Sequence, residues 1–367
     1  MKITIVLPWS FRFDVVKPRS IETVIRTINA GSRYRDTITV IADAGASDHG
    51  PMRTRLVDGQ GGRWDRTRCV TALLRDNPPD LLELHQHVPT ARRIAAALPG
   101  VPAILYRHNA TKPKWGPVEG IRQAWLQRPF QARVYVSAFA ANAYRARFPA
   151  LADTTFAVPN PIDPTHWRHP VDHKEPLIAY AGRAAPEKGL AELCAALAEV
   201  LPIAPDWRAE ILASHWHKHS KWAEVAIQPL HHFGDRATVR RDQPLAAVQD
   251  TLKRAAIVVV PSRYEEPFGL AALEAHAAGA AVISSGSGGL REASGPHAHY
   301  IDPVTPKTIA EAITALINHP EQRRTLASAG QAFVLQTHTP AQRAAELDAL
   351  RGAVVVGTPI TAASHRG

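Results

Sequence analysis

The chain has 367 residues, 45 % of them hydrophobic and 21 % charged, with a formal net charge of +10. That length exceeds one ordinary compact core and predicts two domains, and no apolar run reaches the ~18 residues of a membrane span. The basic balance asks for an anionic partner, a nucleotide or an anionic membrane surface; nucleic acid is set aside because Lys and Arg are scattered and no helix-turn-helix, zinc-finger or RNP-like signature occurs.

The N-terminal "KITIVLP" (2–8) reads as a buried first strand, because a signal peptide would need a longer apolar run and a small-residue cleavage site. "SIETVIRTINAG" (20–31) reads as a helix capped by Ser20 and stopped by Gly31. Strands are expected at 36–43, 79–87, 102–109 and 132–138, with helical stretches between most of them. Such alternation of continuous apolar strands with helices predicts a parallel sheet covered on both faces. "PNPIDPTHWRHPVDHKEP" (159–176) holds five prolines in eighteen residues and reads as a linker. The alternation then restarts: strands at 177–183, 207–214, 256–262 and 280–286, helices at 190–201, 245–255 and from about Gly269. A last helix spans 339–352. The expected division is 1–160, a linker at 161–176, a second domain at 177–338, and a C-terminal helix and tail at 339–367. Cys69 and Cys194 make no disulfide framework, which fits a reducing cytoplasm.

Chemistry concentrates in "PSRYEEPFGLAALEAHAAGAAVIS" (261–284). The strand 256–262 ends at Pro261, and a helix opens at Gly269, so "RYEEPFG" is the loop from strand to helix. Free N–H groups at a helix start favour an anion, phosphate above all. Glu266 precedes that start. Glu274 lies about five residues beyond it, roughly 7 to 8 Å along the axis. A helix start between two carboxylates suits a nucleoside diphosphate sugar, with carboxylates accepting from hydroxyls. Solvated surface charge is the ordinary alternative for such a pair, and Glu265 is expected to be solvated. The apolar neighbours Leu270, Ala271, Leu273, Ala277 and Ala278 argue against it for Glu274.

This stretch, continued through "SGSGGLRE", resembles the signature of retaining GT-B glycosyltransferases, specifically glycosyltransferase family 4: Glu266, Glu274, then Gly288, Gly289 and Glu292 around a Pro-Phe-Gly core. The resemblance implies an α/β GT-B fold: two Rossmann-like domains facing each other across a cleft, with the C-terminal helix returning toward the N-terminal domain. "YAGRAAPEKGL" (180–190) implies Arg183 and Lys188 as clamps on the donor diphosphate, where fixed cations meet the developing charge. Phe268, Gly269 and Leu270 would offer amides to the same phosphates, Glu274 would hold the ribose and Glu266 the sugar hydroxyls. "ILYRHNA" implies His108 as a sugar or acceptor contact. His85 and His87 are further candidate acceptor contacts at the end of their strand.

Departures from the family pattern fall in two loops. The usual Gly-Gly-x-Glu before the first helix reads Arg19-Ser20-Ile21-Glu22, leaving Arg19 and Ser20 as candidate acceptor contacts. "VPNPIDPTHW" has Pro161 where the family hinge has glycine. The run His215-Trp216-His217-Lys218-His219 would align its histidines on one face if it were a strand, but zinc sites draw ligands from separated elements, so no metal is assigned. No cofactor is expected either. No Asp-x-Asp occurs, as expected for a GT-B enzyme without a catalytic metal. "KPKWGPVEGIRQAWLQRPFQAR" (112–133) mixes Lys112, Lys114, Arg122, Arg128 and Arg133 with Trp115, Trp125 and Phe130; it reads as an amphipathic surface helix or as a dock for an anionic membrane.

The expected protein is a retaining hexosyltransferase, cytoplasmic or peripheral on the inner face of the membrane. It would move sugar from a UDP-sugar or GDP-sugar to a glycan or glycolipid, in envelope polysaccharide or lipopolysaccharide synthesis. A small aglycone acceptor, a glycan phosphorylase and a non-catalytic nucleotide-sugar binder are the alternatives.

Overall fold

The computed structural model describes residues 1–16, 18–110 and 117–358. It divides into two compact units: Met1–Pro161 joined by Pro340–Gly367, and Ile162–Thr339.

The first unit is built on seven parallel strands. These are β1 (Ile3–Val6), β2 (Ile38–Asp43), β3 (Arg53–Val57), β4 (Leu81–His85), β5 (Ala103–Arg107), β6 (Ala132–Tyr135) and β7 (Thr155–Ala157). Their order is β3-β2-β1-β4-β5-β6-β7. The inner strands are buried along nearly their whole length because helices cover both faces. In β1 all four residues are buried, and β5 is buried from Ala103 to Tyr106. The helix Ser20–Ala30 buries Ile21, Val24, Ile25 and Ile28, the i, i+3, i+4, i+7 stripe that its sequence shows. Arg19, not Ser20, is its N-cap; Glu22 accepts from the Arg19 N–H at 3.0 Å, and Ser20 is the first helical residue. The correction follows from the acid three residues on, which reaches back to Arg19.

The C-terminal helix Pro340–Val356 belongs to this first unit and packs on Ser20–Ala30. The approach is close: a Cβ on Gly31 would lie 2.6 Å from the Pro340 carbonyl oxygen. Its inward face is polar at one place, where Arg351 is fully buried against Glu83 of β4.

The second unit has six parallel strands: β8 (Glu175–Arg183), β9 (Arg208–Ser214), β10 (Ala237–Arg241), β11 (Ala255–Val260), β12 (Ala281–Ser284) and β13 (His299–Tyr300), ordered β10-β9-β8-β11-β12-β13. Ile178, Ile211, Ile257 and Ile283 join Leu193, Leu197 and Ile313 in its core. Within the proline-rich stretch, Pro164–Trp167 form one helical turn with Trp167 buried. Both sheets reverse their strand order once, between β1 and β4 and between β8 and β11. Those switch points, at the carboxyl ends of the strands, are where doubly wound sheets hold ligands.

Candidate functional site

In the second unit the chain leaves β8 at Arg183 and passes through the single turn Pro186–Lys188 to Gly189, at φ +71°, before the helix Leu190–Ile203. It leaves β11 at Val260 and reaches Gly269, at φ +116°, before the helix Leu270–Ala277. The two loops lie together on either side of the switch point. A Cβ on Gly189 would collide with the Pro261 carbonyl, so only glycine lets them approach this closely.

A third loop, after β12, closes on the second. Glu266 and Gly288 form an isolated parallel bridge, and the Gly289 N–H donates to the Glu266 carbonyl at 2.7 Å. A Cβ on Gly288 would stand 2.5 Å from that carbonyl oxygen, and one on Gly289 would stand 2.6 Å from the Pro267 oxygen. The spaced Glu, Gly and Gly of the sequence signature are thus one contact.

The Lys188 ammonium is bonded to the Glu266 carboxylate, both side chains being largely buried. Arg183 pairs with Glu187 at 3.0 Å but stays 44 % exposed, leaving guanidinium donors for a ligand. Phe268 points into the core, edge-on to His338. What Phe268, Gly269 and Leu270 present at the surface is the helix start itself, whose first N–H groups have no intrahelical acceptor. Glu274 lies one turn further, half-buried, its carboxyl pushed up to about 8 by desolvation. Glu265 is exposed. Two cations, a helix start and two carboxylates therefore surround one end of the sheet, an arrangement that binds an anion flanked by hydroxyls.

The His215–His219 run is not a strand. His215 sits at φ +56°, Trp216–Lys218 make a single turn with Trp216 buried, and the three histidines are exposed. Among the described residues no group of three or more His, Cys, Asp or Glu side chains is placed to hold a metal ion.

In the first unit, a cavity of about 750 Å³ opens at the carboxyl ends of β1, β2 and β3, lined by Trp9, Arg12, Arg19, Asp43 and Asp58 among others. Arg19 lies over the Phe11 ring at 4.5 Å, and Ser20 is exposed nearby. The retained Glu22 is structural: its two oxygens accept from the Phe13 and Arg19 amides and so shape the loop beneath this cavity. His87 caps the helix Val88–Ala96, its ring engaged by Thr90 and Arg63.

His108 ends β5 with Nε2 2.9 Å from His85 Nδ1, and His85 Nε2 is 3.0 Å from Glu83 Oε1. His85 is 4 % exposed with both ring nitrogens taken. The expectation of an acceptor contact at His85 is corrected: its imidazole backs His108 and has no nitrogen left for a ligand. His108 is half-buried, and among the described residues its Nδ1 has no hydrogen-bond partner.

Of the basic and aromatic set expected at 112–133, Lys112, Lys114 and Trp115 lie outside the described residues. Arg133 is buried in β6, bonded to Thr154 Oγ1 at 2.6 Å and to the Phe130 carbonyl at 3.1 Å, and Phe130 is buried too. Both are withdrawn from any surface. Ile121, Arg122, Trp125 and Arg128 remain exposed, with Arg92 stacked 3.6 Å over Trp125. Among the described residues no helix is long and apolar enough to cross a membrane.

Two family models match the chain end to end over most of its length: "Glycosyltransferase Family 4" over residues 29–166 and "Glycosyl transferases group 1" over residues 162–333. The chain belongs to glycosyltransferase family 4. Among curated relatives, it is 28 % identical over 277 residues to the alpha-maltose-1-phosphate synthase of Mycolicibacterium smegmatis, covering 66 % of this chain and 70 % of that one. It is 26 % identical over 226 residues to the lipopolysaccharide 1,2-N-acetylglucosaminetransferase of Salmonella typhimurium, covering 58 % and 56 %. Among solved structures it resembles Anabaena HepE, determined in complex with UDP and glucose, with a TM-score of 0.75 at 18 % identity over 96 % of this chain and 100 % of that one. At that identity the likeness shows the GT-B fold.

Within this family 4 chain, the sequence pointed to the loops of Lys188 and Glu266 but missed Glu83 and Arg351. A signal for Glu83 was present: one acid in the strand "LLELH" needs a buried partner. Nothing local announced that the partner stands 268 residues later. Trp9 and Arg12 were missed as well, because loop residues carry no periodicity to mark them.

Proposed function

We propose that the protein is a retaining, metal-independent hexosyltransferase that moves a sugar from a nucleotide-diphospho-sugar, by preference a UDP-sugar, to a hydroxyl of a glycan or glycolipid. The observation that carries this reading is the buried Lys188–Glu266 pair set against the glycine-opened helix start. The UDP bound by Anabaena HepE and the lipopolysaccharide acceptor named for the Salmonella relative support the donor and the envelope-polymer setting.

In this reading Arg183, Lys188 and the helix start at Gly269 hold the diphosphate, Glu274 holds the ribose and Glu266 the sugar hydroxyls. The acceptor sits in the first unit, in the cavity of Trp9, Arg12 and Arg19, with His108 touching a substrate hydroxyl. As the bond from anomeric carbon to phosphate breaks, negative charge grows on the leaving phosphate, and the two fixed cations stabilise it there more than in the ground state. The leaving phosphate takes the acceptor proton, and substitution proceeds on one face. Glu266 already spends its carboxylate on Lys188, which favours this course over covalent attack by Glu266. Its locale would be the cytoplasmic membrane face, with Ile121, Arg122, Trp125 and Arg128 meeting anionic lipid.

Titration calorimetry with UDP tests the donor site. Lys188→Ala should weaken binding by about tenfold or more at a temperature where both proteins are folded; equal affinity in the two proteins would remove Lys188 from the site. A glycosyl adduct on Glu266, trapped with a slow donor analogue, would replace the one-face course with a covalent one.

A further inference from the structure

Behind His108 runs a buried chain of side chains that the transfer chemistry leaves without a role. Glu83 is 1 % exposed in the middle of the first sheet. Burial alone would raise its carboxyl, but the Arg351 guanidinium, aided by His85, outweighs that and brings it down to about 2. An ionised carboxylate only accepts hydrogen bonds. Its Oε2 takes Arg351 Nε at 2.9 Å and Nη2 at 2.7 Å, and its Oε1 takes His85 Nε2 at 3.0 Å. Arg351 is itself fixed by Asp348 and Asn29, each at 2.9 Å.

The proton positions follow in sequence. His85 Nε2 carries hydrogen, because Glu83 cannot donate. The contact of His85 Nδ1 with His108 Nε2, at 2.9 Å, holds one proton: a His85 whose single ring hydrogen goes to Glu83 accepts at Nδ1, and His108 Nε2 donates. Burial, with the Arg107 guanidinium nearby, holds His108 neutral. Its remaining nitrogen, Nδ1, is therefore unprotonated. Three rings stack around this arrangement and hold its orientation: His85 on Tyr106 at 5.0 Å, His85 on His108 at 5.1 Å and Tyr106 on His108 at 4.9 Å. The charged groups of the C-terminal helix that face the cluster are Arg343, Glu346, Asp348 and Arg351.

We propose that Glu83, His85 and Arg351 are positioning residues that lock His108 in its Nε2–H tautomer, so that His108 meets a substrate hydroxyl as a hydrogen-bond acceptor through Nδ1. This rests on His108 touching substrate, as read above. It also assigns the C-terminal helix a part in the site, since Arg351 anchors the carboxylate from which the tautomer is set. A free imidazole exchanges its tautomers readily; one locked from behind keeps its acceptor lone pair aimed at the hydroxyl at no further cost on binding.

Imidazole nitrogen NMR on the intact, ¹⁵N-histidine-labelled protein decides the tautomer, with the His108 signal assigned by its loss in His108→Gln. A proton on Nε2 and a bare Nδ1 at neutral pH are expected; a proton on Nδ1 overturns the proposal. His85→Phe keeps the ring stack and the Glu83–Arg351 pair while removing the donor and acceptor nitrogens. Its kcat should fall about 10- to 100-fold with the donor KM and UDP affinity nearly unchanged, and an unchanged kcat overturns the positioning role. Glu83→Gln provides the second variant: its amide can donate to His85, so His108 should show both tautomers, and a single retained Nε2–H tautomer counts against the relay. UDP binding separates the two readings. If the unaltered protein binds no nucleotide, the transferase reading fails while the NMR result still decides the tautomer.

Discussion

At the scale of single residues, the desolvated Glu274 makes stability depend on pH. Its carboxyl is pushed up to about 8 because burial removes the solvent that would stabilise the charge. The unfolded chain releases that proton near the ordinary value of 4.5. Between those two values the folded protein binds the extra proton, so the residue's contribution to stability falls as pH rises through the window and is lowest above about 8. Glu274→Gln should therefore gain about 1–2 kcal/mol over the unaltered protein at pH above 8 relative to pH 5, the full shift being discounted for partial solvent access. Denaturant unfolding at the two pH values measures it, and an equal difference at both would show that Glu274 is not desolvated. The same variant should bind UDP more weakly, since ribose hydroxyls favour the ionised form as acceptor. Such a residue was legible in the sequence because the signature is local: two acids, a Pro-Phe-Gly break and a glycine pair within one loop-helix-loop segment. His85 was legible only as a polar residue near the site; its burial, which reverses its role, depends on Glu83 and on a distant arginine.

At the scale of elements, glycines do what periodicity cannot. Gly288 stands at φ +63° with no room for a Cβ against Glu266, so Gly288→Ala has two faults, a strained backbone and a collision with a carbonyl. A loss of about 2–4 kcal/mol is expected, read as a drop in thermal midpoint, together with weaker UDP binding as the Glu266 loop shifts. An alanine variant with unaltered midpoint and affinity would mean that the two loops are not braced at this bridge. Lys174 braces the same unit from below: its ammonium donates to the carbonyls of Lys253 and Ala278, at the ends of two helices. Burial brings that amine down from 10.5 to about 7. Between those values the unfolded chain holds the extra proton, so the lysine's contribution rises with pH and is smallest below about 7. Relative to Lys174→Met, the unaltered protein should gain in thermal midpoint from pH 7 to pH 9; a constant difference would argue against a buried amine. The inner strands were readable from their apolar runs. The strands that went unread, β3, β7, β10 and β13, are the four sheet edges. β3 reads "RTRLV" and β10 "ATVRR", since an edge faces water and is protected by charge, while β7 and β13 are only three and two residues long. Edge strands lack the signal because their physics removes the need for it.

At the scale of the whole molecule, the chain leaves the first unit at Pro161 and returns to it at Pro340, so one unit is continuous and the other is closed by a distant helix. Ile162 donates its N–H to the His338 carbonyl at 2.8 Å, which sets the two crossing segments side by side. The continuous unit contains its own core together with the loops of Lys188 and Glu266. The first unit without its last helix would keep Glu83 inside the sheet but lose Arg351, and with it the buried Leu347 and Leu350 of a helix that packs on Ser20–Ala30. Leaving one member of a buried pair alone costs about 3–5 kcal/mol, a large part of the ~5–15 kcal/mol that holds a domain folded. A fragment of residues 162–339 should therefore unfold cooperatively and still bind UDP. Residues 1–161 alone should show no cooperative transition, and joining 340–358 to them through a short flexible linker should restore one, because the two chain ends already lie close. In that joined form Arg351→Met should abolish the recovery, unless the carboxylate is relieved at the same time by Glu83→Leu. Circular dichroism and denaturant titration of the five forms provide the test. If residues 1–161 unfold alone with the midpoint of the joined form, the C-terminal helix is a passenger, and the buried arginine does not close the first unit.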